Sequence, residues 1–211
     1  MELKNLLGEK KEGVGIITLN REDVRNALKA EIRQDIADVL QVADSDPEVR
    51  VVIITGTGRK VFSAGGDIKQ MAENTMWDVL ERKPDIFALI HNLPKPVIAA
   101  INGLALGGGC EMAMACDFRV GSDNARIGQP EIHLGLFPGG GATQRLQRLV
   151  GIGRAKELIF TGDIIDAREA ERIGLLNKVF PADELMDRTM EIASKIAGKG
   201  PLALKLAKMA M

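Results

Sequence analysis

The chain contains no tyrosine, one tryptophan and six phenylalanines, so aromatics make up only 3% of its 211 residues. A core organised around large aromatic clusters is excluded. With 23 glycines, close backbone packing has to take that place. Histidine is scarce too: His91 and His133 are the only two, and no His/Cys/Asp cluster shows metal-ligand spacing, which argues against a metal centre. Cys110 and Cys116 are the only cysteines, and their spacing on one helix cannot staple distant segments. Two such thiols suit a reducing cytoplasm. A formal net charge of −1 leaves no whole-chain basic footprint for nucleic acid. No apolar run reaches the length of a membrane span. The opening "MELKNLLGEKKEG" has no apolar core, so no signal peptide is expected. "GxxxxGK[ST]" and "GxSxG" are both missing, and "GLALGGG" does not fit the "GxGxxG" dinucleotide pattern.

What is present is an ordinary globular balance, 45% hydrophobic and 27% charged, at a length that suits one domain. Strand-like and helix-like stretches alternate. "GVGIITLN", "VRVVIITG", "PVIAAING", "FRVGSD" and "LLNKVF" read as strands. "VRVVIITG" is apolar enough to be buried on both faces. "NALKAEIRQDIADVLQVADSD" reads as an amphipathic helix with a stripe of Leu28, Ile32, Ile36, Leu40 and Val42. Helices are also expected after "SAGGD", from Trp77 to His91, over "ALGGGCEMAMACD", in "ATQRLQRLVG", "GRAKELIFTG", "DAREAERIG" and "ADELMDRTMEIASKIAGKG", and after Gly200. "ARIGQPEIHLGLFPGGG" reads as irregular. The alternation predicts an α/β layered fold with largely parallel pairing.

Two glycine turns, "SAGGD" and "GLALGGG", each separate a strand from a helix. Free N–H groups at a helix start attract negative charge, and bare backbone lets a ligand approach. Two such turns could aim two donors at one oxygen, as in an oxyanion hole; equally, both could simply pack a helix on a sheet. Glu111 follows the second turn. A carboxylate in a first helical turn gains about 0.3–1 kcal/mol from the helix dipole. The rest of that helix is apolar on all sides, and burying an ionised carboxylate costs several kcal/mol unless it is paired or its pKa shifts. No Lys or Arg lies within a turn of it, which favours a functional role. Glu131, in "GQPEIHLG", is a second carboxylate in an apolar, irregular stretch. Close carboxylates push their pKa values apart and supply one acid and one base.

"FSAGGDIKQM", "INGLALGGGCEMAMACD" and "GQPEIHLGLFPGGGATQRL", with "LNREDVRNAL" and "TGDIIDAREAERIGLLNKV", closely resemble the enoyl-CoA hydratase/isomerase (crotonase) superfamily. The resemblance implies a spiral of repeated ββα units binding an acyl-CoA as a hooked thioester. It places the oxyanion hole on the backbone N–H groups of Gly66 and Gly108, and the catalytic pair on Glu111 and Glu131. The family often has alanine where this chain has Gly66; the donor is backbone, so it should survive. The resemblance also puts the adenine end of CoA near Ala64 and Ile68, puts Lys69 near the phosphorylated ribose, and has Asp67 shape the turn. The expected reaction adds water to a 2-trans-enoyl-CoA to give a 3-hydroxyacyl-CoA, as in fatty-acid β-oxidation. No cofactor is expected beyond the coenzyme A carried by the substrate. Double-bond isomerisation on the same scaffold and a non-catalytic RNA-binding role are the alternatives. Residues 1–199 are expected to form the spiral core, and residues 200–211 to begin a C-terminal helical segment. That segment reads as truncated, because an apolar stripe of Leu202, Leu206 and Met209 ends without a C-cap. The family's C-terminal helices imply a homotrimer or a dimer of trimers; no membrane partner is expected, and nucleic acid is disfavoured.

Overall fold

The computed structural model describes residues 3, 5–67, 70 and 84–211. Ile68, Lys69, the helix expected after "SAGGD" and the first part of the stretch from Trp77 lie outside the described residues.

Two sheets carry the fold. β1 (Leu6–Lys11) and β2 (Val14–Leu19) form an antiparallel hairpin. Its two-residue turn places Glu12 and Gly13 at positive φ, 52° and 79°, the handedness that matches strand twist. β1 is a strand that the alternation of the sequence does not announce, because half of it is exposed and charged. β3 (Val51–Gly56), β5 (Val97–Ile101), β7 (Phe118–Ser122) and β10 (Lys178–Phe180) continue the sheet in the order β1-β2-β3-β5-β7-β10, with every pair after the first parallel. A second sheet, β4-β6-β8-β9, collects Val61–Ser63, Leu104–Leu106, Arg126–Gly128 and Ile164–Asp166.

The chain alternates between the sheets. β3 and β4, β5 and β6, then β7 and β8 each put one strand in the large sheet and the next in the small one, and helical structure follows. This is the expected spiral of ββα units. The strands of the small sheet are three residues long, which is why periodicity missed them. The start of "ALGGGCEMAMACD" is accordingly strand β6 rather than helix, and "ARIG" opens as β8 rather than irregular chain.

Helices cover both faces of the large sheet. α1 (Ala30–Ser45) buries Ile32, Ile36, Val39 and Leu40. Leu28 precedes the helix and Val42 is exposed, so the stripe is narrower than expected. α2 (Ile86–Asn92) starts late because Pro84 and Asp85 stop any continuous helix from Trp77; the Asp85 carboxylate caps it, accepting from the Phe87 and Ala88 N–H groups at 3.1 Å each. α3 (Gly108–Ala115) is buried along almost its whole length. α4 (Ala142–Val150), α5 (Ile152–Thr161), α6 (Ala167–Arg172), α7 (Leu185–Ala197) and α8 (Pro201–Ala210) complete the described helices. Strand alternation in β3 sends Val51 and Ile53 toward α7 and Val52 and Ile54 into the larger core with α1, α2 and α3. All six residues of β3 are buried, as its apolar run implied.

Candidate active site

The "SAGGD" turn is held from below by the "RNAL" loop. Arg25 and Asn26 take positive φ (54° and 52°), a conformation Asn tolerates readily. The buried Asn26 side-chain amide then donates to the carbonyls of Val61 (3.1 Å) and Phe62 (3.0 Å), and the Asn26 backbone carbonyl accepts from the Ser63 hydroxyl at 2.8 Å. The Ala64 N–H donates to the Arg25 carbonyl (2.9 Å), and the Leu28 N–H donates to the Gly65 carbonyl (2.8 Å). Gly65, at φ +88°, has no room for a side chain: a methyl there would stand 2.6 Å from the Leu106 oxygen. Asp67, largely buried, pairs with Lys29 at 3.3 Å and accepts from the Gln70 N–H at 3.0 Å.

The second glycine turn lies against the first. Gly107 has φ +50° and donates to the Gly128 carbonyl at 3.0 Å. A methyl on Gly109 would collide with the Ser63 carbonyl, so α3 packs backbone to backbone on β4. A methyl on Gly108 would stand 3.5 Å from the Gly66 nitrogen and 3.4 Å from Leu28 Cδ1. Gly66 and Gly108 are therefore neighbours. Among the described residues, neither N–H donates to a protein acceptor.

One turn into α3, the buried Glu111 side chain is met by the start of α4. Its Oε1 accepts from the N–H groups of Gly140 (2.7 Å) and Ala142 (3.0 Å). Burial pushes its pKa up; these two N–H groups, and the charges of Arg145 and Arg33, oppose the rise. No cation lies near in sequence, but two arrive through space. Glu131 rides a 3-10 helix, Pro130–Leu134, and is half-buried. Its Oε1 lies 3.0 Å from where a methyl on Gly107 would stand. Burial, reinforced by the Glu111 charge and opposed by its own backbone N–H, pushes its pKa up to about 7.

The structure thus brings Gly66, Gly108, Glu111 and Glu131 to one place, with Ala64 and Asp67 at its edge. The sequence reading passed over Gly140, Ala142, Arg33, Arg145 and Phe87. The signal for the first two was a third glycine run, "PGGGA", opening a helix. A methyl on Gly140 would stand 2.5 Å from the Phe87 ring and 2.6 Å from Glu111 Oε2. No group of three His, Cys, Asp or Glu side chains among the described residues could hold a metal ion.

A family model described as enoyl-CoA hydratase/isomerase matches residues 9–211. The chain belongs to the enoyl-CoA hydratase/isomerase family. It is 50% identical to a short-chain-enoyl-CoA hydratase of Clostridium acetobutylicum, covering 100% of this chain and 82% of that protein. It is 47% identical to a crotonyl-CoA hydratase of Syntrophomonas wolfei, again over 100% of this chain and 82% of the relative. Among solved structures, an enoyl-CoA hydratase from Bacillus anthracis superposes with a TM-score of 0.93 at 43% identity, covering 98% of this chain and 82% of that one. The two-sheet spiral is therefore the crotonase fold.

Proposed function

We propose that this chain hydrates short 2-trans-enoyl-CoA thioesters to 3-hydroxyacyl-CoA, with Glu111 and Glu131 as its acid–base pair. The observation that carries the reading is the unequal environment of two carboxyls flanking one pair of unengaged backbone donors. Burial raises the Glu111 pKa, but two N–H groups and the charges of Arg145 and Arg33 hold that rise back, whereas burial, reinforced by the Glu111 charge, lets Glu131 hold its proton to about pH 7.

Chemistry follows from that asymmetry. Glu111 takes a proton from water as the water oxygen bonds to the β-carbon of the substrate. The π electrons of the double bond move toward the thioester, and negative charge gathers on its oxygen. The N–H groups of Gly66 and Gly108 receive that charge; one such donor is worth about 3–4 kcal/mol in comparable sites. The α-carbon then takes a proton from Glu131, and the thioester re-forms. No electrons leave the substrate, so the step calls for no redox partner, and coenzyme A enters as part of the substrate. For substrate binding we assign, on the family resemblance, Gly66 and Gly108 to the thioester, Ala64 and Ile68 to the adenine end of CoA, Lys69 to the phosphorylated ribose, and Asp67 to shaping the turn.

Exposed Phe137, Phe160, Ile152 and Ile164, together with the Leu202, Leu206 and Met209 stripe of α8, support a homo-oligomer, a trimer or a dimer of trimers. Two free, buried thiols support a cytoplasmic setting. The test is loss of the conjugated thioester absorbance on mixing the protein with crotonyl-CoA. Rapid loss giving 3-hydroxybutyryl-CoA is expected. No loss with crotonyl-CoA or its longer homologues overturns the reading, and migration of a 3-enoyl double bond without hydration would favour isomerisation.

A further inference from the structure

Arg33 is the only charged side chain among the buried residues of α1. Removing a guanidinium from water is costly, so its neighbours must compensate it. Its Nε donates to the Leu28 carbonyl at 3.3 Å, and its guanidinium carbon lies 5.2 Å from the centre of the Phe87 ring. These two neighbours belong to opposite walls of the site. The Leu28 N–H holds the Gly65 carbonyl, and Leu28 Cδ1 lies against Gly108. The Phe87 ring backs Gly140, whose N–H holds Glu111 Oε1.

We propose that Arg33 is a positioning residue that ties the wall carrying the Gly66 and Gly108 donors to the wall carrying Glu111. The proposal rests, for its kinetic part, on the hydratase reading above. Among the described residues, the charged and titratable groups that interact electrostatically with Glu111 are Arg33 from α1, Arg145 from α4, Glu131 from the 3-10 helix and Cys110 from α3 itself. Arg145 also donates to the Gly140 carbonyl at 2.9 Å, so it supports the same loop from the other side. With Arg33 gone, one of the groups that offset the burial of Glu111 is lost, leaving Arg145 and the two N–H groups, and the carboxyl would keep its proton to higher pH. Glu111 must be ionised to accept a proton from water, so the acid limb of the rate profile moves up.

The test uses the full chain with Arg33→Met, which keeps the apolar stem, and Arg33→Lys, which keeps the charge but loses the Nε bond. For Arg33→Met, kcat on crotonyl-CoA should fall about tenfold or more with little change in KM, and the acid limb of kcat should move to higher pH. Arg33→Lys should lower kcat while leaving the acid limb near its wild-type position. The Glu111 carboxyl, followed by carbon NMR and assigned with Glu111→Gln, should titrate higher in Arg33→Met than in wild type. A wild-type kcat and pH profile in Arg33→Met overturns the proposal. So does a loss of activity that merely tracks the fraction of unfolded protein. If Arg33→Met does not fold, wild-type kcat in Arg33→Lys overturns it. If wild type itself leaves crotonyl-CoA unchanged, the hydratase reading fails and the NMR titration still decides: an unshifted Glu111 midpoint overturns the role of Arg33, and a shifted one supports it.

Discussion

In the proposed reaction Glu111 serves two purposes at once. Its Oε1 satisfies two N–H groups at the start of α4, one of them fully buried, while its charge is used for proton transfer. The two purposes separate by mutation. Glu111→Gln keeps an oxygen for both donors, so melting should stay near wild type while hydration falls by about 10²–10⁴-fold. Glu111→Ala strips the oxygen as well and should cost about 1–3 kcal/mol in addition. Denaturant melts beside steady-state rates make the distinction, and equal stability of the two variants would contradict it. Glu131 makes a pH prediction. Its folded pKa, about 7, lies above the ordinary value of 4.5, so between these the folded chain holds a proton that the unfolded chain releases. Its contribution to stability is complete below 4.5 and is lost as pH rises through about 7. Glu131→Gln should remove that slope and gain on the order of 1 kcal/mol at pH 8 relative to wild type, allowing for the water that reaches a half-buried carboxyl. The same loss of the proton should turn kcat/KM down on the alkaline side with a midpoint near 7. A profile flat to pH 9 would remove Glu131 as the acid.

Among the elements, two adjacent glycines of the second turn do different work. Gly109 is needed so that α3 can lie on the backbone of β4, and Gly108, in the reading proposed above, so that a ligand can reach its N–H. A methyl at Gly109 meets the Ser63 carbonyl, an atom that cannot move without displacing β4. A methyl at Gly108 finds ordinary contact distances of 3.4–3.5 Å. Gly109→Ala should therefore cost about 2–3 kcal/mol of stability. Gly108→Val should retain most of its stability and lose about 10²-fold or more in kcat, because its bulk enters the place of the thioester oxygen. Thermal melts and crotonyl-CoA kinetics on both variants check the contrast. A folded, fully active Gly108→Val would mean that this N–H faces elsewhere.

For the whole molecule, the alternation of strands between two sheets is what delivers residues distant in sequence to one site. β4 ends at Ser63, β6 at Leu106 and β8 at Gly128, in adjacent strands of the small sheet, so the turns that follow them open at the same edge. The opposite extreme is the surface. Phe160 on α5 is 68% exposed and Phe137 is 74% exposed, more apolar area than a solitary surface residue explains. If the chain assembles as proposed above, Phe160→Asp should shift it toward smaller species in analytical ultracentrifugation. Its melting should change little at concentrations where the wild-type chain is already dissociated. An unchanged sedimentation profile would place the contact on another face.

The sequence by itself determined the local facts. Apolar runs such as Val51–Gly56 made buried parallel strands, glycine runs marked bare backbone, and the apolar surroundings of Glu111 marked a carboxylate that needed a reason to be there. These are legible because they depend on neighbours along the chain. Only the tertiary structure decided what meets what. The three-residue strands of the small sheet have too few positions for periodicity to register, yet they set the edge where the turns converge. Sequence proximity offered Glu111 no cation. Folding supplied Arg33 from α1 and Arg145 from α4, with two N–H groups from a loop some thirty residues on. The unequal environments of the two carboxyls arise through space, because burial and nearby charge act over distance and take no account of position along the chain.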